Sequence, residues 1–196
     1  MEARSERPLS GVRILDLTRF LAGPYCTMLL ADLGAEVIKI EPPEGDESRH
    51  QKAYRYGDET AYYISANRNK RGIVLDLKLP EGRQVFYELV AHADVVVDNY
   101  RAQTLRRLGA DYERLRQITP DIICCSLIVF GDDLAGVRRT SVFFHWQRIH
   151  ICAHKHSRPI AILHHTHDAV AFEFRIFVFA EVLVDLAARR AQFFRD

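Results

Sequence analysis

The sequence is short of the features that most often announce a chemistry. Its 196 residues hold four cysteines, Cys26, Cys124, Cys125 and Cys152, and none forms a C-x-x-C pair. That excludes a disulfide framework and a thiolate knuckle, and a reducing, cytoplasmic setting is the expectation. Charge of one sign is missing too: 27 Lys and Arg stand against 26 Asp and Glu. The resulting +1 gives no drive toward nucleic acid or an anionic membrane, so neither is expected as a partner. No apolar run approaches the roughly 20 residues that span a bilayer. The opening MEARSERPLSG has no apolar signal core, so no leader is expected. Neither G-x-G-x-x-G nor G-x-x-x-x-G-K-[ST] occurs, which argues against a standard dinucleotide or P-loop site.

What is present is an ordinary globular composition, 48% hydrophobic and 27% charged. The length suits one domain, or one and a fragment of a second. Composition changes abruptly near Gly131. Nine of ten glycines lie at or before it, whereas seven of nine histidines and eight of eleven phenylalanines lie after it. Residues 1–131 and 132–196 are therefore taken as two units.

In the first unit, short β-branched runs alternate with helical patterns. Residues 12–18 (VRILDLT), 36–41 (EVIKIE), 72–77 (GIVLDL), 94–98 (DVVVD) and 122–128 (IICCSLI) read as strands. Pro24 suits a first helical turn. Cys26, Leu29, Leu30 and Leu33 give that helix an apolar face, and Gly34 stops it. Residues 44–59 read as loop and 61–66 as a short helix. Pro80 opens a helix through His92 with Val85, Phe86, Leu89 and Val90 inward, and two short helices follow at 104–108 and 112–118. Strands alternating with helices predict an α/β fold with a Rossmann-like, largely parallel sheet. Ligands then belong at the carboxyl ends of the strands. Four segments fall there: 21–24, 41–46, 99–101 and 130–133.

Two of the loops carry charge or backbone suited to phosphate. Leu21-Ala22-Gly23-Pro24 puts a small-residue turn at a helix start, where free N–H groups favour an anion and Gly23 lets a ligand approach. A plain strand-to-helix turn fits the same residues. Asn67-Arg68-Asn69-Lys70-Arg71 packs three cations and two amides into five residues, apt for a phosphorylated small molecule or for a solvated basic turn. Asn99-Tyr100-Arg101 adds a stacking aromatic at a strand end. Arg106 and Arg107 just beyond are further phosphate ligands or an exposed helix face.

The stretch PLSGVRILDLTRFLAGPYCTMLLADLGAEVIKIEPPEGD resembles the opening of family III CoA-transferases, the formyl-CoA transferase and carnitine CoA-transferase group. The likeness continues through YYISANRNKRGIVLDL, the Pro80-Glu81-Gly82 helix start, ADVVVDNYR and RLGADYERLRQITPDIICCS. It covers residues 8–131, roughly the first third of a family chain.

The resemblance implies a transferase that moves CoA from an acyl-CoA to a small free carboxylic acid, with coenzyme A as substrate and no metal. It implies interlocked homodimers and a Rossmann-like CoA-holding domain, here truncated. Carried over by motif, Leu21, Ala22, Asn67, Asn69, Lys70, Asn99, Tyr100, Arg101 and Arg107 would contact CoA. In the family mechanism an aspartate attacks the thioester and expels CoA thiolate, giving a mixed anhydride. The thiolate then attacks the aspartyl carbonyl, and the donor acid departs from an aspartyl-CoA thioester. The acceptor acid reverses the sequence.

The likeness stops where composition changes. The family loop S-I-T-G-F-G reads Ser126-Leu127-Ile128-Val129-Phe130-Gly131 here, and no family pattern follows Asp133. His167-Asp168-Ala169-Val170-Ala171 echoes the segment around the family nucleophile some 25 residues too far along. Asp168 is thus the candidate nucleophile, or a helix N-cap. In the tail, Phe172, Phe174, Ile176 and Val178 alternate as in a strand, and residues 180–194 fit an amphipathic helix. His150 and His154 have helical spacing near His156, His164, His165 and His167, and they read as incidental rather than metal-binding. A catalytically inactive remnant that binds CoA or an intact homologue is the alternative to an enzyme. The tail is expected to be a reading-frame or splicing product. Translating the encoding DNA in its other two frames should then reveal a Y-D segment and a glycine-rich loop; their absence would refute that origin.

Overall fold

The computed structural model describes residues 7–52, 54–128, 150–155 and 158–162. The candidate Asp168, the loop at 130–133 and the proposed elements at 172–178 and 180–194 lie outside these residues. So do the side chains of the tail histidines.

The chain starts with strand β1 (Arg13–Asp16), helix α1 (Ala22–Asp32) and strand β2 (Glu36–Glu41). A single 3-10 turn (Glu47–His50) and a small hairpin, β3 (Arg55–Tyr56) with β4 (Glu59–Thr60), follow where loop was predicted. Helix α2 (Ala61–Asn67) leads to β5 (Lys70–Val74), then α3 (Pro80–Val90) to β6 (Val95–Asp98). Helices α4 (Ala102–Leu108) and α5 (Tyr112–Leu115) precede β7 (Ile123–Ile128). Two more strands, β8 (His150–Lys155) and β9 (Arg158–Ile162), come from the tail.

One sheet has the order β5-β2-β1-β6-β7-β8-β9. Its first five strands are parallel, and β8 and β9 are added antiparallel. The chain therefore runs outward from β1 to β5 and then returns to β6 on the other side of β1. That reversal makes a switch point between β1 and β6, where a doubly wound sheet opens a crevice. The expected α/β architecture is correct.

Alternation along the strands builds the two cores. Ile14, Val37, Val95, Val97, Ile123 and Cys125 face one way, against Leu30 and Ala31 of α1. Leu15, Ile40, Val96, Ile122 and Cys124 join the opposite core, with Phe86 and Val90 of α3, Leu105 and Leu108 of α4 and Leu115 of α5. A strand covered on both faces must be apolar at successive positions, which is why VVVD and IICC read as unbroken runs.

Three local expectations need correction. β5 begins and ends earlier than predicted, because it pairs with β2 only from Val37↔Lys70 to Glu41↔Val74. Pro42-Pro43 ends β2, so the last bond between the two strands runs from Leu75 N to Glu41 O at 2.8 Å. Leu33 is 37% exposed and Val85 39%, so neither belongs to its helix's buried face. Gly23 also has another neighbour than the one expected. A Cβ there would lie 2.4 Å from Thr18 Cβ, so the missing side chain makes room for Thr18.

Thr18 is buried and hydrogen-bonded, and cannot yield that space. Gly23→Ala should therefore destabilise the fold by about 1–3 kcal/mol. Gly72→Ala, with nothing within 4 Å of the added carbon, should be nearly neutral. Urea unfolding of the two variants checks the contrast; equal midpoints would contradict it.

Candidate functional site at the switch point

The carboxyl end of β1 is built around Asp16, which is wholly buried. Its Oδ1 accepts from Thr18 N at 2.9 Å and Thr18 Oγ1 at 2.5 Å. Its Oδ2 accepts from Thr27 Oγ1 at 2.6 Å and Lys70 Nζ at 2.9 Å. Burial pushes the carboxyl upward, but Lys70, Lys39 and the threonine hydroxyls outweigh it and leave it below the usual carboxylate range. Burial likewise lowers the Lys70 ammonium, against the pull of Asp16.

Lys39 is the register partner of Asp16 on β2 and is buried too. Its Nζ donates to Thr18 O at 2.7 Å and pairs with Asp46 Oδ2 at 3.0 Å. Asp46 Oδ1 accepts from Ser48 N and Ser48 Oγ, and from Phe20 N at 3.2 Å. Glu41, at the end of β2, accepts Asp46 N at 2.9 Å. It also takes both Nε and Nη2 of Arg49 at 2.7 and 2.8 Å, and Tyr63 Oη at 2.7 Å. Burial opposes ionisation of Glu41, yet Arg49 and its other donors bring it down to about 2. The Arg49 guanidinium lies 3.6 Å from the Tyr63 ring centre, closing the segment over the sheet.

Across the switch point, Asn99 joins β6 to β1. Its Oδ1 accepts Arg19 N at 2.9 Å and its Nδ2 donates to Arg19 O at 2.7 Å. The Arg19 guanidinium sits 4.8 Å from the centre of the Tyr100 ring and bonds Glu47 at 2.5 Å. Asp98, the last residue of β6, accepts from Ser126 Oγ of β7 at 2.6 Å and from Tyr100 N at 3.0 Å. Burial dominates there and lifts its carboxyl to about 6.

Three of the four segments expected at the strand ends thus meet: 21–24, 41–46 and 99–101. The candidate residues divide by environment. Leu21 precedes α1 and Ala22, exposed, begins it. Lys70 Nζ also donates to Pro24 O and Asn67 Oδ1, both at 2.8 Å, which ties the end of α2 to the first turn of α1. Arg68 and Asn69 instead reach Asp32, at the other end of that helix, at 2.5 and 2.6 Å. Arg101, just before α4, and Arg107 on it are exposed, whereas Tyr100 is half-buried. The sequence pattern did not single out Asp16, Lys39 or Asp46. One signal existed: a lone Asp in VRILDLT and a lone Lys in EVIKIE, each inside an apolar strand. Among the described residues no group of His, Cys, Asp and Glu is arranged to hold a metal ion, and no helix is long and apolar enough to cross a membrane.

The family model for CoA-transferase family III matches residues 9–142. The chain belongs to this family. It is 49% identical over 132 residues to succinyl-CoA:mesaconate CoA-transferase of Haloarcula hispanica, covering 65% of this chain and 33% of the relative. It is likewise 49% identical over 126 residues to the human succinyl-CoA:glutarate CoA-transferase, covering 64% and 29%. Among solved structures, a CAIB/BAIF family protein from Brucella suis matches with a TM-score of 0.59 at 42% identity, over 62% of this chain and 33% of that one. A protein from Mycobacterium tuberculosis matches with a TM-score of 0.62 at 34% identity, over 69% and 37%. The chain spans about a third of the length of the curated relatives it matches.

The raised Asp98 carboxyl has a signed consequence. The folded state holds its proton up to about pH 6, whereas an exposed aspartate releases it near 3.8. Stability from this group is therefore present below pH 4 and declines as pH rises to 6. Asp98→Asn should remove that decline and raise stability at pH 7 by roughly 2–3 kcal/mol. Urea unfolding from pH 4 to 7 measures it, a window mostly above the one in which Glu41 and Asp16 lose their charge. An unchanged slope in the variant would contradict the assignment.

Proposed function

We propose that this chain is the CoA-holding part of a CoA-transferase, which passes CoA from an acyl-CoA to a free carboxylic acid. The observation that carries the reading is the family membership of residues 9–142, joined to the meeting of Asn99 and Asp46 with the turn after β1 at the β1–β6 switch point. In this reading the phosphates of CoA face the exposed arginines Arg101 and Arg107, whose planar forks suit phosphate oxygens. Leu21, Ala22, Asn99 and Tyr100 line the adjacent crevice. Asn67 and Lys70 shape the first turn of α1 from beneath, and Asn69 contacts the ligand from the far end of that helix. Curated relatives include transferases named for succinyl-CoA with mesaconate, glutarate or citramalate, and one for acetyl-CoA with oxalate. A short dicarboxylic acid is accordingly the acceptor class. The chemistry is the aspartyl anhydride and thioester sequence, with Asp168 as the candidate nucleophile. The CoA-holding unit ends near residue 131, with 132–196 as a divergent tail that adds β8 and β9 to its sheet, and the setting is cytoplasmic.

Calorimetric titration of the purified chain with coenzyme A tests the binding step. Arg101→Ala and Arg107→Ala should each weaken CoA about tenfold, the loss of one charge-assisted contact. The unmodified affinity should fall as salt rises. Incubation with succinyl-CoA, borohydride reduction and mass spectrometry should find a modified aspartate. CoA binding without an adduct would identify the non-catalytic remnant, and a folded chain that ignores CoA would overturn the proposal.

A further inference from the structure

Among the described residues the buried carboxylates are Asp16, Glu41, Asp46 and Asp98. The first three are each balanced by a cation. Lys70 pairs with Asp16, Arg49 with Glu41 and Lys39 with Asp46. Asp98 differs. Its oxygens accept from Ser126 Oγ at 2.6 Å and from Tyr100 N at 3.0 Å, and among the described residues no cation pairs with it. A buried carboxyl without a cation keeps its proton to higher pH, and burial lifts this one to about 6.

The same carboxyl sets the turn after β6. Its bond to Tyr100 N closes the backbone around Asn99, whose amide clasps Arg19 across the switch point. Arg101 follows directly, at the start of α4. On the other side Asp98 is tied to its register partner Ser126 on β7. The surroundings do not supply the missing cation. Arg19 lies over the Tyr100 ring but is bonded to Glu47. Burial pushes the Tyr100 hydroxyl up, and Glu47, Asp46 and Asp98 add to this against the pull of Arg19. Burial also pushes up the Cys124 thiol of β7, with Asp98, Cys125 and Asp111 adding to it. On β1, Asp16 stands beside Val97, and side chains alternate across the sheet between Val97 and Asp98. β8 places Cys152 opposite Ser126 and His154 opposite Cys124.

We propose that Asp98 is a proton-linked positioning residue: protonated, it holds the turn of Asn99 to Arg101 without opposing charge, and its ionisation weakens the binding of a phosphorylated ligand there. This role rests on the CoA reading above. An anion at that turn disfavours the charged form of Asp98, because charges near a buried group are poorly screened. Binding therefore draws a proton onto Asp98, and by linkage affinity falls as pH rises above about 6.

The test is calorimetric titration of CoA, from pH 5 to 8, into the unmodified chain, Asp98→Asn and Ser126→Ala. The amide can keep both hydrogen bonds of the protonated acid and has no proton to lose. Asp98→Asn should match the unmodified chain near pH 5 and bind CoA about tenfold more tightly at pH 8, equivalent to one unit of pKa displacement. Comparing these two chains removes the contributions of His154 and of the phosphates of CoA, which titrate in both. Ser126→Ala lacks the donor that favours the ionised form, so its loss of affinity should begin at higher pH than in the unmodified chain. Parallel pH profiles for the unmodified chain and Asp98→Asn would overturn the proposal. So would weaker binding by Asp98→Asn at every pH, the mark of a merely structural role. Should Asp98→Asn not fold, an unmoved profile in Ser126→Ala overturns it instead. If the folded, unmodified chain binds no CoA at any pH, the CoA reading fails and this role with it.

Discussion

Asp16 ends the central strand with its carboxylate out of water, and a buried carboxylate persists only when its oxygens are paired and its charge is balanced. Thr18 and Thr27 supply hydroxyls and Lys70 supplies charge and a third side-chain donor. Each of these donors comes from a different piece of chain: the turn after β1, the middle of α1 and the start of β5. A single desolvated charge thus fixes where α1 begins, how closely its first turn approaches the sheet and where α2 hands over to β5. Gly23 belongs to the same constraint, since the approach of α1 to Thr18 leaves no room for a Cβ. Removing one partner of such a buried pair typically costs 3–5 kcal/mol, because the other charge is left unpaired.

The second buried pair, Lys39 with Asp46, extends this logic from the sheet to the loops. Neighbouring strands present Asp16 and Lys39 side by side, so the two networks share a field as well as Thr18, whose N–H and hydroxyl donate to Asp16 and whose carbonyl accepts from Lys39. Asp46 in turn is placed by Glu41, which Arg49 and Tyr63 hold ionised. The result is a mouth at the switch point whose backbone is set by charges that solvent does not reach. Asn99 completes it by clasping Arg19 across the crevice. Phe20, Arg101 and Arg107 are exposed outside this buried base.

The tail changes the sheet's far side. In a parallel sheet the last strand leaves a row of unpaired backbone groups, a template for aggregation. β8 covers β7 from Cys124↔His154 to Ile128↔His150, and β9 pairs onto β8 with a register shift between Ala153 and His154. The boundary that composition drew near Gly131 is therefore crossed by hydrogen bonds, although the antiparallel direction of β8 departs from the βαβ pattern that precedes it.

The order of the parallel strands and of the helices between them was legible in residues 8–128, because burial on both faces demands unbroken β-branched runs and exposed helices demand a periodic stripe; the two-residue strands β3 and β4, too short to show a pattern, were not. The segments that meet at the strand ends were legible for the same reason: alternation of strand and helix fixes which loops share an edge. What the sequence could not decide was the destination of individual polar side chains. In Asn67-Arg68-Asn69-Lys70 the four residues read as one basic cluster, yet Lys70 meets the first turn of α1 and is bonded there to Asn67, while Arg68 and Asn69 reach the last residue of that helix. Leu33 and Val85 looked like core from their spacing and lie near the surface, because a helix face is buried only as far as the sheet beneath it extends. Family and fold follow from local pattern, which the chain carries in its order of residues. The pairing of Asp16 with Lys70 and the clasp of Arg19 by Asn99 join residues 54 and 80 positions apart, and only their meeting across the sheet settles them.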